Sequence, residues 1–139
     1  MYRKIIVAIA LGGIDKGELI LRKAASLLDE GGEIVTLNVI EDVPTYVAVE
    51  LPANIVEDAM KEGRDKLGAL VARTGIPATI EIRNGPPAKA IISTAESLGA
   101  DLIIVASHIP DFSNYFIGAT ADRVVRHAKC SVLVDRQKV

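Results

Sequence analysis

Residues 101–135 read DLIIVASHIPDFSNYFIGATADRVVRHAKCSVLVD, and the interpretation of this stretch decides the fold. It opens on a continuous apolar run, residues 102–106, short enough for a strand buried on both faces. A polar loop bearing aromatic residues follows over 107–115. Gly118-Ala119-Thr120 then leads into Ala121, Val124, Val125 and Ala128, which recur at helical spacing. The helix is predicted to stop near His127-Ala128, and Cys130-Ser131-Val132-Leu133-Val134 reads as a second buried strand. The unit is therefore strand, loop, helix, strand, and its loop delivers a glycine to a helix start. Free backbone N–H groups and the positive end of the helix dipole suit that place to an anion.

The same alternation extends outward to the N-terminus. Residues 5–10 form an apolar run and read as a buried first strand. Leu11-Gly12-Gly13-Ile14-Asp15 turns into a helix with Asp15 as N-cap, Ile20, Ala24, Leu27 and Leu28 as inner stripe, and Gly31-Gly32 as its end. Gly12-Gly13 lacks the spacing of a dinucleotide-binding turn and reads as a plain strand-to-helix turn. Residues 34–40 are the second strand. Residues 45–53, an apolar segment that follows Pro44 and is broken by Pro52, are either a flap beside a cleft, with Tyr46 able to cover a base, or an ordinary packed loop.

From Ile55 the pattern is helical, with Val56, Ala59, Gly63, Leu67, Leu70 and Val71 on one face and charged residues on the other. Residues 78–82 alternate as a third strand near a sheet edge. Gly85-Pro86-Pro87 opens a helix carrying Ala88, Ile91, Ile92, Ala95 and Leu98, proline being tolerated in the first turn. Five strands alternate with four helices. That order predicts an α/β, doubly wound, flavodoxin-like parallel sheet of strand order 3-2-1-4-5, with helices on both faces and one domain over 1–139. Its crevice should open at the C-terminal ends of strands 1 and 4, where the strand order reverses.

Composition narrows the classes. At 50% hydrophobic and 24% charged residues the chain is not a disordered one. Aromatics are only 4%, without Trp, so Ile, Leu, Val and Ala must supply the core. A formal charge of −2, with scattered Lys and Arg, offers no basic face for nucleic acid. A single Cys gives no disulfide framework and fits a reducing, cytoplasmic setting. Arg3-Lys4 before residues 5–11 superficially resembles a signal peptide, but its removal would delete the expected central strand. No run approaches the roughly 20 apolar residues of a membrane span.

Catalytic constellations are sparse. Ser107, His108 and Asp111 lie on one loop, whereas a nucleophile–base–orienter set draws on separate elements. His108 is either a phosphate or base contact or a capping loop histidine. Two separate histidines and one cysteine do not compose a metal site. His127 fits the negative end of its helix, Cys130 reads as a packing thiol, and no Walker motif occurs.

The unit 101–135 resembles the C-terminal half of a universal stress protein domain, and the resemblance extends over the whole chain. In that family the loop after the fourth strand carries Gly-x-x-Gly, nine residues, then Gly-Ser/Thr, and wraps the phosphates of ATP. Here Ala106 stands at the first glycine, followed by Ser107 and His108, and Ile109 stands at the second. Gly118 holds the third, one residue short of the full spacing, and Ala119 replaces the hydroxyl residue with Thr120 just beyond. The resemblance further implies a ribose-contacting Asp at the end of the first strand, where Ala10 stands, and adenine beside Val39. It is closest to a branch of small bacterial members with relaxed glycines.

Two functions of different class follow. One is a nucleotide-binding stress protein that holds ATP or AMP, with or without Mg2+, as a regulatory ligand, at most with very slow ATPase or autophosphorylating activity. The other is a dimeric stress protein with a degenerate site that acts through partners. Gly118 and the retained loop length favour the first; Ala10, Ala106, Ile109 and Ala119 favour the second. In either case the resemblance implies a homodimer through the edge strand Cys130-Ser131-Val132-Leu133-Val134.

Overall fold

The first apolar run supplies the middle of the sheet. In a computed structural model, which describes residues 1–41, 54–108 and 118–137, β1 (Tyr2–Ala8) lies between β2 (Leu28–Ile40) and β4 (Leu102–His108). β3 (Thr79–Asn84) and β5 (Ser131–Gln137) form the two edges, giving the order β3-β2-β1-β4-β5, and every pairing is parallel. Ile5, Ile6 and Val7 are fully buried because helices cover both faces of the strand. The α/β sheet expected from the alternation of runs is the one observed.

Alternate residues of each strand feed two separate cores. Ile5, Val7, Leu102 and Ile104 pack under α1 (Gly17–Leu27) and α2 (Ile55–Thr74), through Ile20, Leu21, Leu67 and Leu70. Ile6, Val35, Leu37, Ile103 and Val105 pack under α3 (Pro87–Leu98) and α4 (Ala119–His127), through Ala88, Ile91, Ala121 and Val124. Each fully buried Ile, Leu or Val contributes about 1.5–3 kcal/mol, against about 0–1 kcal/mol for an exposed ion pair such as Arg22–Glu18. The two cores therefore dominate stability.

Three expectations need correction. Asp15 is not an N-cap: it sits exposed inside a 3-10 turn (Leu11–Lys16), and α1 begins at Gly17. Nor does α1 reach Gly31-Gly32. It stops at Leu27, because Leu28 is already extended (φ −81°, ψ 134°) and pairs with Tyr2. The glycine pair instead forms an irregularity in β2, between the Tyr2–Leu28 and Lys4–Glu33 pairings. Val125, expected on the inner stripe of α4, is 47% exposed, and Ala121 and Val124 alone fill that role as fully packed residues.

The end of the sheet opposite the C-terminal strand tips is clamped by one carboxylate. Asp101 accepts hydrogen bonds from the backbone N–H groups of Arg3 and Lys4, both at 3.0 Å, and its own N–H donates to the Lys4 carbonyl at 3.0 Å. The Arg3 amide foremost, then the Lys4 amide, holds the Asp101 carboxyl below the ordinary carboxylate range, against partial burial that raises it. A depressed folded pKa adds stability that is present above the unfolded value and lost as pH falls through the folded one. Asp101→Asn should therefore lower the melting temperature at pH 7 and flatten its decline below about pH 4. Identical slopes for the two proteins in melts from pH 7 to pH 2.5 would show that the clamp is not ionic.

Candidate functional site

The strand order reverses between β1 and β4, and a cleft of about 280 Å³ opens there. Ala8, Ile9 and Ala10 come from the end of β1, Leu37, Val39 and Glu41 from the end of β2, and Val105 and Ala106 from β4. Pro87 and Ile91 of α3 close one wall, and Thr120 of α4 reaches the other. Two larger hollows lie elsewhere: one of about 420 Å³ around Cys130, and one of about 590 Å³ between α1 and β5, beside the Lys23–Asp135 ion pair. Neither gathers the C-terminal ends of β1 and β4. The cleft at the switch point is the site that the topology itself creates.

Its walls are mainly aliphatic, and its polar character comes from few atoms. The N-cap of α4 is Gly118, which has φ 89° and ψ 147°, and among the described residues no side chain caps the helix. Asp122 N–H donates to the Gly118 carbonyl at 2.9 Å, which makes the first helical bond; the N–H groups ahead of it have no intrahelical partner. Thr120 is half-buried in the cleft wall, Ala119 is exposed, and neither Gly118 nor Ala119 is part of the lining. The carboxylate of Asp122 in the first turn is taken up by Arg126 Nε at 3.1 Å.

Ser107 is 3% exposed, and among the described residues its hydroxyl has no hydrogen-bond partner. By strand alternation it shares a face with Val105, which lines the cleft. A buried hydroxyl left without a partner is costly, on the order of 1–3 kcal/mol. Asn38, 5% exposed, donates from its side-chain amide to the Ile9 carbonyl at 2.9 Å and so ties the end of β1 to β2.

The structure thus brings Ala10, Val39, Ala106 and Thr120 together around one cleft, with Ser107 beside them. Ala10 is exposed and extended (φ −83°, ψ 143°), presenting a methyl where a carboxylate was sought, and Asp15 is not in the lining. His108 ends β4; its side chain, Ile109, Asp111 and residues 45–53 with Tyr46 lie outside the described residues. Cys130 precedes β5 rather than opening it and packs half-buried against the second core, where burial pushes its thiol pKa up. Sequence reading missed Asn38, Glu41 and Ile91. The signal for Glu41 was present in the alternation Leu37, Val39, Glu41, which puts all three on one face.

Among the described residues no helix is long and apolar enough to cross a membrane. Comparison with known proteins agrees with the topology. The chain is 28% identical to universal stress protein G of Shigella flexneri over 98% of this chain and 100% of that one. It is 27% identical to universal stress protein A homolog 2 of Coxiella burnetii, over 99% and 97% of the two chains. Among solved structures, hypothetical protein MJ0577 superposes with a TM-score of 0.77 at 22% identity, covering 100% of this chain and 99% of that one. A universal stress protein in complex with cAMP superposes with a TM-score of 0.59 at 20% identity, over 97% of each chain. The universal stress protein family profile matches residues 1–136, and the chain belongs to that family.

Proposed function

We propose that the switch-point cleft binds an adenine nucleotide, AMP or ATP with Mg2+, as a regulatory ligand in a cytoplasmic stress response. The observation that carries this reading is the pairing of a helix start at Gly118, without a capping side chain among the described residues, with an aliphatic cleft that ends on Thr120. Phosphate oxygens find backbone N–H donors and the positive dipole end at residues 118–120, while the base finds apolar walls near Val39, Ile91 and Val105. The hydroxyl of Ser107, without a partner among the described residues, supplies a further donor beside the same cleft. Binding of cAMP by a structural neighbour is consistent with a nucleotide at this fold's switch point.

Ala119 offers its N–H without a hydroxyl, which costs on the order of 1 kcal/mol, or several-fold in affinity. Ala10 offers no ribose contact. Weak to moderate binding follows. Calorimetry with AMP, and with ATP and Mg2+, should show saturable binding together with a rise in melting temperature. Absence of both at millimolar nucleotide favours the second reading, a dimeric stress protein acting through partners, for which the methyl of Ala10 is the supporting observation.

A homodimer belongs to either reading. β5 is a sheet edge, no described strand pairs with its outer side, and Val132, Leu133 and Val134 are only half-buried. A second copy set antiparallel along it makes an isologous contact. Light scattering at micromolar protein should return twice the chain mass, and an aspartate at Val132 should return the single mass. A monomeric wild-type protein would end this proposal.

A further inference from the structure

The cleft lining holds one ionisable side chain among the described residues, and it is a carboxylate, Glu41. It follows β2 directly, on the same face as Leu37 and Val39, which also line the cleft. The ladder pairs Ala8 with Leu37, and Ile9 N–H donates to the Leu37 carbonyl at 2.8 Å. Continued by two residues, that register sets Ala10 against Val39, with Glu41 one pleat further, about 6.6 Å along the strand. The backbone just before Glu41 is held, because the Ile40 carbonyl accepts from Gly85 N–H at 2.9 Å. Glu41 is exposed and forms no ion pair among the described residues. An ionised carboxylate only accepts hydrogen bonds.

We propose that Glu41 determines which ligand this cleft accepts, its carboxylate taking a hydrogen bond from a neutral O–H or N–H donor of the bound molecule. The inference rests on the nucleotide reading and gives it a direction. The helix start at residues 118–120 attracts phosphate and Glu41 repels it, so the two ends of the cleft orient a nucleotide one way round. The donor that meets Glu41 is then a sugar hydroxyl or the exocyclic amine of the base. Ala10, one pleat back on the adjacent strand end, has no polar side-chain atom to compete.

The sign of the effect separates this role from plain electrostatics. Removing a negative charge from a cleft strengthens the binding of an anionic ligand if charge alone matters. A lost charge-assisted hydrogen bond weakens it, by about tenfold. The test is calorimetric titration of wild type and Glu41→Ala with AMP, 2′-deoxy-AMP and inosine monophosphate. Wild type should prefer AMP about tenfold over the analogue that lacks the donor, and Glu41→Ala should bind AMP about tenfold more weakly and treat the pair alike. A preference lost against 2′-deoxy-AMP identifies the sugar hydroxyl; one lost against inosine monophosphate identifies the amine. The proposal is overturned if Glu41→Ala binds AMP as tightly as wild type or more tightly. If wild type binds none of the three, the nucleotide reading has failed and this inference falls with it.

Discussion

Gly118→Val is expected to abolish nucleotide binding while the protein stays folded. Two effects converge at this position. The backbone at φ 89° and ψ 147° lies in a region reserved almost entirely for glycine, and forcing a β-branched residue there costs about 1–3 kcal/mol. The strain is relieved by shifting the first turn of α4, which re-aims the N–H groups proposed to hold phosphate. A Cβ at Gly118 would meet no atom of the described residues within 4 Å, and the added isopropyl group projects into the space proposed for the phosphate. Together these should reduce affinity at least a hundredfold, beyond detection for a ligand that already binds weakly. Circular dichroism should show a folded protein with a lowered melting temperature. If the valine variant binds AMP as well as wild type, the ligand sits elsewhere.

The second large effect concerns Gly32, far from the cleft. A Cβ at this position would lie 2.8 Å from the Arg3 carbonyl oxygen and 2.9 Å from that of Asp29. Both are backbone atoms of paired strands, so neither can swing aside as a side-chain tip would. Gly32→Val should therefore cost about 3 kcal/mol, a fall in melting temperature of about 10 °C for a domain of this size. Gly12→Val is the control, since a Cβ there meets nothing within 4 Å. Equal melting temperatures for the two variants would show that β1 and β2 do not approach each other this closely.

Gly32 also shows where sequence reading stops. A glycine pair after an amphipathic stripe is a helix-end signal, and Gly31-Gly32 follows such a stripe. What overrides it is a pairing partner far away in the chain: Leu28 leaves the helix to pair with Tyr2, and no local pattern announces that. The sheet itself was legible because the runs around Ile6 and Ile103 are apolar without alternation, as in a strand covered on both faces, and because such runs recur between helical segments. The place of the cleft followed from the strand order. Its chemistry was less legible. Ala10, Val39, Ala106 and Thr120 were found through resemblance, whereas Glu41 and Asn38 owe their positions to strand faces and to a hydrogen bond onto the Ile9 carbonyl. Val125 fits helical spacing, yet α4 is so short that two residues suffice to seat it.

The clamp at Asp101 bears on how the chain is made. Its bonds to Lys4 join residues 97 apart in sequence, and β4 pairs with β1 only after that interval. During synthesis at about 5–20 residues per second, β1 therefore leaves the ribosome with one edge unpaired for roughly 5–20 s. Over that time Ile5, Ile6 and Val7 form an apolar strand open to any other nascent chain. The central strand of the finished sheet is thus the first to appear and among the last to be enclosed. Early chaperone contact should map to residues 2–8, and its release should coincide with the emergence of residues 101–108.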